Sequence, residues 1–225
     1  MQKQLFQILV LCLVFCAGTV SAQIGFKGGI NLVSLAQEGT NISASDLKTN
    51  SGIGGVAGIT FDLDLSDVFT IQPEFLFIQK GGKDEFRFFG TRTEQITLIN
   101  YFEIPVMAKV VFGNSGNDGG LGLYVAAGPW MGYALNGRVK YSTFGNDGSF
   151  IESYTDTFTF DNKDDRKRLD WGASGGVGLV LGRLIIEGRY NYGINNLLDE
   201  DANNNNDNAP VLQTRGLSIT LGVVF

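Results

Sequence analysis

The 225-residue chain holds 31 Gly, 17 Phe and 7 Tyr against only 4 Pro, with a formal net charge of −6. It contains no histidine, which excludes catalysis that depends on an imidazole general base. The acidic balance, with no basic run to set against a phosphate backbone, excludes nucleic acid as a partner.

Taken in order, the chain begins with a segment that reads as a secretory leader. Lys3 supplies a positive start, Leu5 to Phe15 an apolar core, and Val20-Ser21-Ala22 a small-residue cleavage site. That core is shorter than the roughly 20 residues a spanning helix needs. Cleavage after Ala22 is expected, leaving residues 23–225 as one domain. Cys12 and Cys16 both lie in the leader, behind Leu11 and Phe15, whose bulk does not suit lipidation. The mature chain then has no thiol for a disulfide or a zinc site. No later segment is apolar and long enough for a transmembrane helix, so a secreted chain of this kind is either soluble or a barrel.

Successive side chains on a strand face opposite ways, so alternation locates the strands. The first is expected at Ile24 to Val33, with Phe26, Ile30 and Leu32 opposite Lys27 and Asn31. Ser34 to Ser51 reads as a loop. The second strand, Ile53 to Leu65, sets Ile53, Ala57, Ile59, Phe61, Leu63 and Leu65 against Thr60, Asp62 and Asp64, and a tight turn follows at Ser66-Asp67-Val68. The third, Phe69 to Ile78, opposes Phe69, Ile71, Phe75 and Phe77 to Thr70, Gln72 and Glu74; Gln79 to Thr91 reads as a loop with a charged tip. The fourth ends in Tyr101 to Phe112, where Phe102, Ile104, Val106, Ala108, Val110 and Phe112 oppose Tyr101, Glu103 and Lys109. Gly113 to Gly120 is a turn.

The fifth strand, Leu121 to Leu135, directs Leu123, Val125, Met131 and Tyr133 one way and Tyr124, Gly128 and Trp130 the other. The longest loop, Asn136 to Arg168, contains Asn146-Asp147-Gly148, a hairpin signal that predicts strands continuing beyond the membrane. The sixth strand, Leu169 to Leu181, opposes Trp171, Ala173, Val177 and Leu179 to Asp170, Ser174 and several glycines. Gly182-Arg183 turns into the seventh, Leu184 to Gly193, with Glu187, Arg189 and Asn191 on its polar face. After the loop Ile194 to Leu212, the eighth strand aligns Leu217, Ile219, Leu221, Val223 and Phe225 opposite Gly216, Ser218, Thr220 and Gly222. An apolar row running into an aromatic carboxy-terminus resembles the signal by which barrel-assembly machinery recognises and closes outer-membrane barrels.

Long connections after odd strands and shorter ones after even strands match an outer-membrane barrel with loops outside and turns in the periplasm. Aromatics on the apolar parity gather at strand ends: Phe26, Phe69, Phe112 and Phe225 as an inner girdle, and Phe77, Tyr133, Trp171, Tyr190 and Tyr192 as an outer one. A soluble barrel with an apolar interior is the competing reading. Lys27, Asp62, Glu74, Glu103, Lys109, Asp170, Glu187 and Arg189 on the other face decide against it, because charges opposite continuous apolar rows belong inside a barrel set in lipid. The expected fold is all-β: an eight-stranded antiparallel up-and-down transmembrane barrel in the bacterial outer membrane. Its lumenal charges are expected to pair across strands, since an unpaired buried charge is costly.

Four stretches also carry a family resemblance. Tyr101-Phe102-Glu103-Ile104-Pro105-Val106-Met107-Ala108-Lys109, Gly128-Pro129-Trp130-Met131-Gly132-Tyr133, Asp170-Trp171-Gly172 and Glu187-Gly188-Arg189-Tyr190-Asn191-Tyr192-Gly193 resemble the PorT-like outer-membrane β-barrel domain family of Bacteroidota-type envelopes. The resemblance covers nearly the whole mature chain and implies the barrel fold. A named member's association with type IX secretion makes a secretion or envelope-assembly component one reading of the function. The others are a non-enzymatic surface protein that meets a protein partner through its long loops, and a narrow solute channel. No cofactor or metal is expected: Asp199, Glu200, Asp201 and Asp207 lack the glycine and terminal glutamate of a calcium loop.

Overall fold

The computed structural model describes residues 21–38, 50–88, 90–113, 120–159, 167–197 and 211–225. The leader's apolar core, the acidic cluster Asp199 to Asp207 and most of the turn between Gly113 and Gly120 lie outside them.

All nine elements are strands: β1 Ser21–Glu38, β2 Asn50–Asp64, β3 Phe69–Phe88, β4 Thr91–Gly113, β5 Leu121–Phe144, β6 Phe150–Thr159, β7 Leu169–Leu181, β8 Leu184–Gly193 and β9 Val211–Val224. Every pairing is antiparallel. The pairings run from β1 through β2, β3, β4, β5, β7, β8 and β9 and return to β1, an up-and-down ring of strands. At the seam Lys27 stands opposite Gly222 and Gly28 opposite Leu221. Closing a sheet on itself removes the unpaired edges that an open sheet would expose.

Among the described residues there are nine strands where eight were expected, because half of the longest connection is itself a strand. β6 folds back on the upper part of β5, with Tyr141 opposite Tyr154, and among the described residues pairs with no other strand. The hairpin turns at Asn146-Asp147-Gly148, where Gly148 adopts φ 79°, a left-handed conformation that favours glycine. Asp147 Oδ1 accepts bonds from the Ser149 amide at 3.0 Å and the Ser149 hydroxyl at 2.6 Å.

The expected loop Gln79 to Thr91 is a second correction. β3 and β4 continue through it as a ladder up to Phe88 opposite Thr91. Polar residues occupy both faces there, so no alternation of apolar and polar residues announces the strand, yet the backbone groups still find partners only by pairing. At the other end the connections are short. The Ser66 hydroxyl accepts the Phe69 amide at 3.1 Å, and Gly182 turns β7 into β8 with φ 60°.

Side chains alternate between a buried interior and an exposed outside. Ile24, Phe26, Ile53, Leu123, Val177, Leu221 and Phe225 are among the exposed apolar residues, while Glu74, Glu103 and Asp170 are between 0% and 1% exposed. This is the inverse of a soluble core. Two apolar clusters also occupy the interior. One joins Val56, Leu76, Ile78, Ile99, Tyr101 and Ala134; the other joins Met107, Tyr124 and Ala126.

Candidate functional site

The interior charges fall into two groups. In the first, β8 presents Glu187 and Arg189, β3 presents Glu74 and β1 presents Lys27. Arg189 grips Glu74 through two bonds, Nη1 to Oε2 at 2.8 Å and Nη2 to Oε1 at 2.7 Å, the fork geometry that suits a carboxylate. Its Nη2 also lies 2.9 Å from Glu187 Oε1. Lys27 Nζ bridges the same two carboxylates, at 2.9 Å from Glu74 and 3.2 Å from Glu187. The Tyr124 hydroxyl donates to Glu187 Oε2 at 2.6 Å. Two cations thus meet two carboxylates inside the ring, with a phenol completing the set. Beside them Lys109 Nζ lies 3.2 Å from Asp62 and 4.7 Å from the Tyr124 ring centroid.

The second group is centred on Lys80, which lies in the segment Gln79 to Thr91 expected to be a loop. Its Nζ is 2.6 Å from Glu103 Oε2 and 3.3 Å from Asp170 Oδ2, and sits 3.6 Å from the Trp130 ring centroid. Tyr101 flanks the same ammonium at 5.0 Å. Thr214 of β9 donates to Asp170 Oδ2 at 2.9 Å. Lys80 shares its parity with Gln72 and Glu74, so continuing the alternation of β3 past Ile78 would have found it. Glu103 and Lys109, six apart on β4, each take a partner from a different strand, β3 and β2.

Glycines make room for the interior aromatics. A Cβ on Gly178 would collide with the Tyr124 ring, and one on Gly172 would meet Trp130 at 2.9 Å. The glycine-rich run of β7 therefore serves close packing, not phosphate binding.

A family model described as outer membrane protein beta-barrel domain matches residues 19–199. The chain belongs to that family. No curated protein matches it in sequence. Among solved structures, it is similar to Ail, the attachment invasion locus protein of Yersinia pestis, crystallised with the heparin analogue sucrose octasulfate: 11% identity over 91% of this chain and 99% of that one, TM-score 0.39. Neisserial surface protein A shows 15% identity over 91% and 99%, TM-score 0.40. OprG from Pseudomonas aeruginosa shows 11% identity over 92% and 98%, TM-score 0.34.

The outside of this outer-membrane barrel carries the aromatic residues expected to form the two girdles. Phe26 and Phe225 meet edge to face across the β1–β9 seam, 6.2 Å between centroids. Phe77, Tyr133, Trp171, Tyr190 and Tyr192 are all exposed on the outer face. Above Tyr133, a β-bulge at Leu135 changes the parity of β5: Tyr101 pairs with Ala134 but Asn100 with Asn136. Gly137 consequently turns inward, and Phe158 of β6 packs over it against the Tyr101 cluster. Beyond that contact the β5–β6 hairpin stands clear, with Phe150, Ile151 and Tyr154 exposed.

Proposed function

We propose that this chain, freed of residues 1–22, is an integral outer-membrane barrel whose eight ring strands cross the bilayer and whose β5–β6 hairpin engages a protein partner outside the cell. One observation carries the reading. Among the described residues β6 pairs along one edge only, its side chains are exposed except at Phe158, and it displays Phe150, Ile151 and Tyr154. An extended strand with an open edge suits recognition by strand addition, in which main-chain bonds supply affinity and alternate side chains supply specificity.

The interior acts as a plug that fixes the ring. Ion pairs crossing from β8 to β3 and from β3 to β7 support this role, as does the width of an eight-stranded barrel, which side chains can fill. Lys27, Asp62, Glu74, Glu103, Lys109, Asp170, Glu187 and Arg189 then have a structural duty, and no reaction is assigned to them. Leu217, Ile219, Leu221, Val223 and Phe225 present the apolar row read by the assembly machinery.

Excising residues 141–154 shortens the arm while retaining Phe158 over Gly137. The variant should still show the heat-modifiable migration of a folded barrel but lose partners crosslinked to the wild-type surface. Full recovery of those partners would overturn the hairpin assignment. A second reading, a component of a secretion or envelope-assembly machine, differs in outcome: crosslinking then recovers envelope machinery instead of a host or neighbouring-cell surface.

A further inference from the structure

A groove on the outer surface, at the height of the outer aromatic girdle, is lined by Tyr133, Lys167, Arg168, Leu169, Trp171 and Asn195. Its frame is firmly held. Asn195 accepts the Trp171 amide at 3.0 Å and donates to the Leu169 carbonyl at 2.8 Å, and the Lys167 amide donates to the Leu197 carbonyl at 2.8 Å. Arg168 Nη1 donates to the Tyr133 hydroxyl at 3.1 Å, which holds the guanidinium against the girdle, and the Arg168 carbonyl accepts the Ala134 amide.

Several cations elsewhere are already engaged. On the β3–β4 extension Lys83, Arg87 and Arg92 are each bridged to Glu85 or Glu94. Arg215, stacked 3.5 Å from the Tyr192 ring centroid, donates to the carbonyls of Gly193 and Thr214 and to Gln213. Among the described residues, neither Lys167 nor Arg168 is in an ion pair. Two adjacent cations beside a tyrosine and a tryptophan of the outer girdle complement an anion that is attached to lipid.

We infer that this groove binds the phosphorylated headgroup of an outer-leaflet lipid. Arg168 and Lys167 meet the phosphate oxygens by charge-assisted hydrogen bonds, and Trp171 and Leu169 lie along the first acyl segments. Basic pockets at a membrane surface recognise anionic headgroups by this chemistry. The inference rests on the outer-membrane orientation proposed above, with the long hairpin outside.

The test uses the full-length mature protein in neutral detergent micelles doped with a bisphosphorylated glycolipid, or with the same glycolipid lacking phosphates, and reads tryptophan fluorescence. Wild type should bind the phosphorylated lipid at least tenfold more tightly. Lys167→Gln with Arg168→Gln should abolish that preference, while Arg138→Gln with Lys140→Gln, the same charge change outside the groove, should preserve it. Inorganic phosphate at millimolar concentration should neither reproduce the signal nor compete. Equal binding of the two lipids, an unaltered Lys167→Gln, Arg168→Gln variant, an equal loss in the Arg138→Gln, Lys140→Gln control, or full competition by inorganic phosphate would each overturn the site. Heat-modifiable migration of every variant reports the barrel separately: its loss in the wild type would sink the barrel reading, whereas failed lipid selectivity in a folded barrel sinks only the groove.

Discussion

Arg189 on β8 and Glu74 on β3 are 115 residues apart in sequence, yet they are joined across the interior by two hydrogen bonds of 2.8 and 2.7 Å. The strands that carry them are not neighbours in the ring; β2, β1 and β9 lie between. The pair is therefore a strut, and its removal leaves charge stranded in a buried setting. Glu74→Gln or Arg189→Met alone should lower the unfolding free energy by about 3–5 kcal/mol, the cost of orphaning a buried partner. The double variant should lose much less than the two singles together. Urea unfolding in lipid, followed by tryptophan fluorescence, measures all three; strict additivity would mean the two residues do not act as a pair.

Lys80 ties three strands together through Glu103 and Asp170 and lies against Trp130. Lys80→Met should destabilise the barrel by a similar amount, because two carboxylates lose their cation. It should also alter the emission of Trp130, which can be isolated in a Trp171→Phe background. An unchanged spectrum would place the ammonium elsewhere.

A filled interior should not conduct. The wild-type protein in planar bilayers is expected to show no stepwise openings, since ion pairs and the rings of Trp130 and Tyr124 occupy the path. Regular single-channel steps from pure protein would favour a channel over a plug.

At the hairpin tip, Gly148 holds φ 79°, so Gly148→Val should cost the arm about 1–2 kcal/mol of local stability. Hydrogen exchange of the 139–154 amides would register the loss, with the ring amides unchanged. The same tip responds to acid. Bonds from the Ser149 hydroxyl and amide hold the Asp147 carboxyl below the ordinary aspartate range. A depressed folded value stabilises the tip above the unfolded pKa and ceases to do so as pH falls through the folded one. Protection at the tip should therefore be level at neutral pH and fall only in strong acid; a decline centred near neutrality would contradict the assignment.

Much of this architecture was legible in the sequence, for a physical reason. Where a strand crosses lipid, one face must be apolar and the other cannot be, so Leu217, Ile219 and Leu221 against Ser218 and Thr220 announce both the strand and its orientation. β7 and β8 were located to the residue on that basis. Above the membrane the constraint lapses. Lys83 to Arg87 carry polar residues on both faces and show no period-2 apolar pattern, so Gln79 to Thr91 reads as a loop although hydrogen bonding keeps most of it in strands; in Asn136 to Arg168 the Asn146-Asp147-Gly148 signal announced continuing strands but not their bounds. Lys80 lies in the expected loop Gln79 to Thr91. The bulge at Leu135 was invisible because parity is a local pattern, and one inserted residue changes which face Gly137 and Phe158 take. The pairing partners of the interior charges were also beyond reach, since Arg189 and Glu74 meet only when the ring closes.

Phe225 and Phe26 meet at that closing seam. Deleting Phe225 should reduce the inserted fraction far more than it changes any surface binding by the molecules that do insert. Pulse-chase recovery of the heat-modifiable form measures this, and normal insertion of the shortened chain would count against the seam as an assembly signal.

The most direct test of the whole account is the periodicity of lipid contact along β9. With no cysteine outside residues 12 and 16, single cysteines can be placed at residues 217 to 221 in turn, labelled with an environment-sensitive fluorophore and exposed to a quencher carried on lipid acyl chains. Labels at 217, 219 and 221 should be quenched strongly, and labels at 218 and 220 weakly. Uniform quenching, or the opposite alternation, would contradict a barrel that turns its apolar face to the membrane and its charges inward.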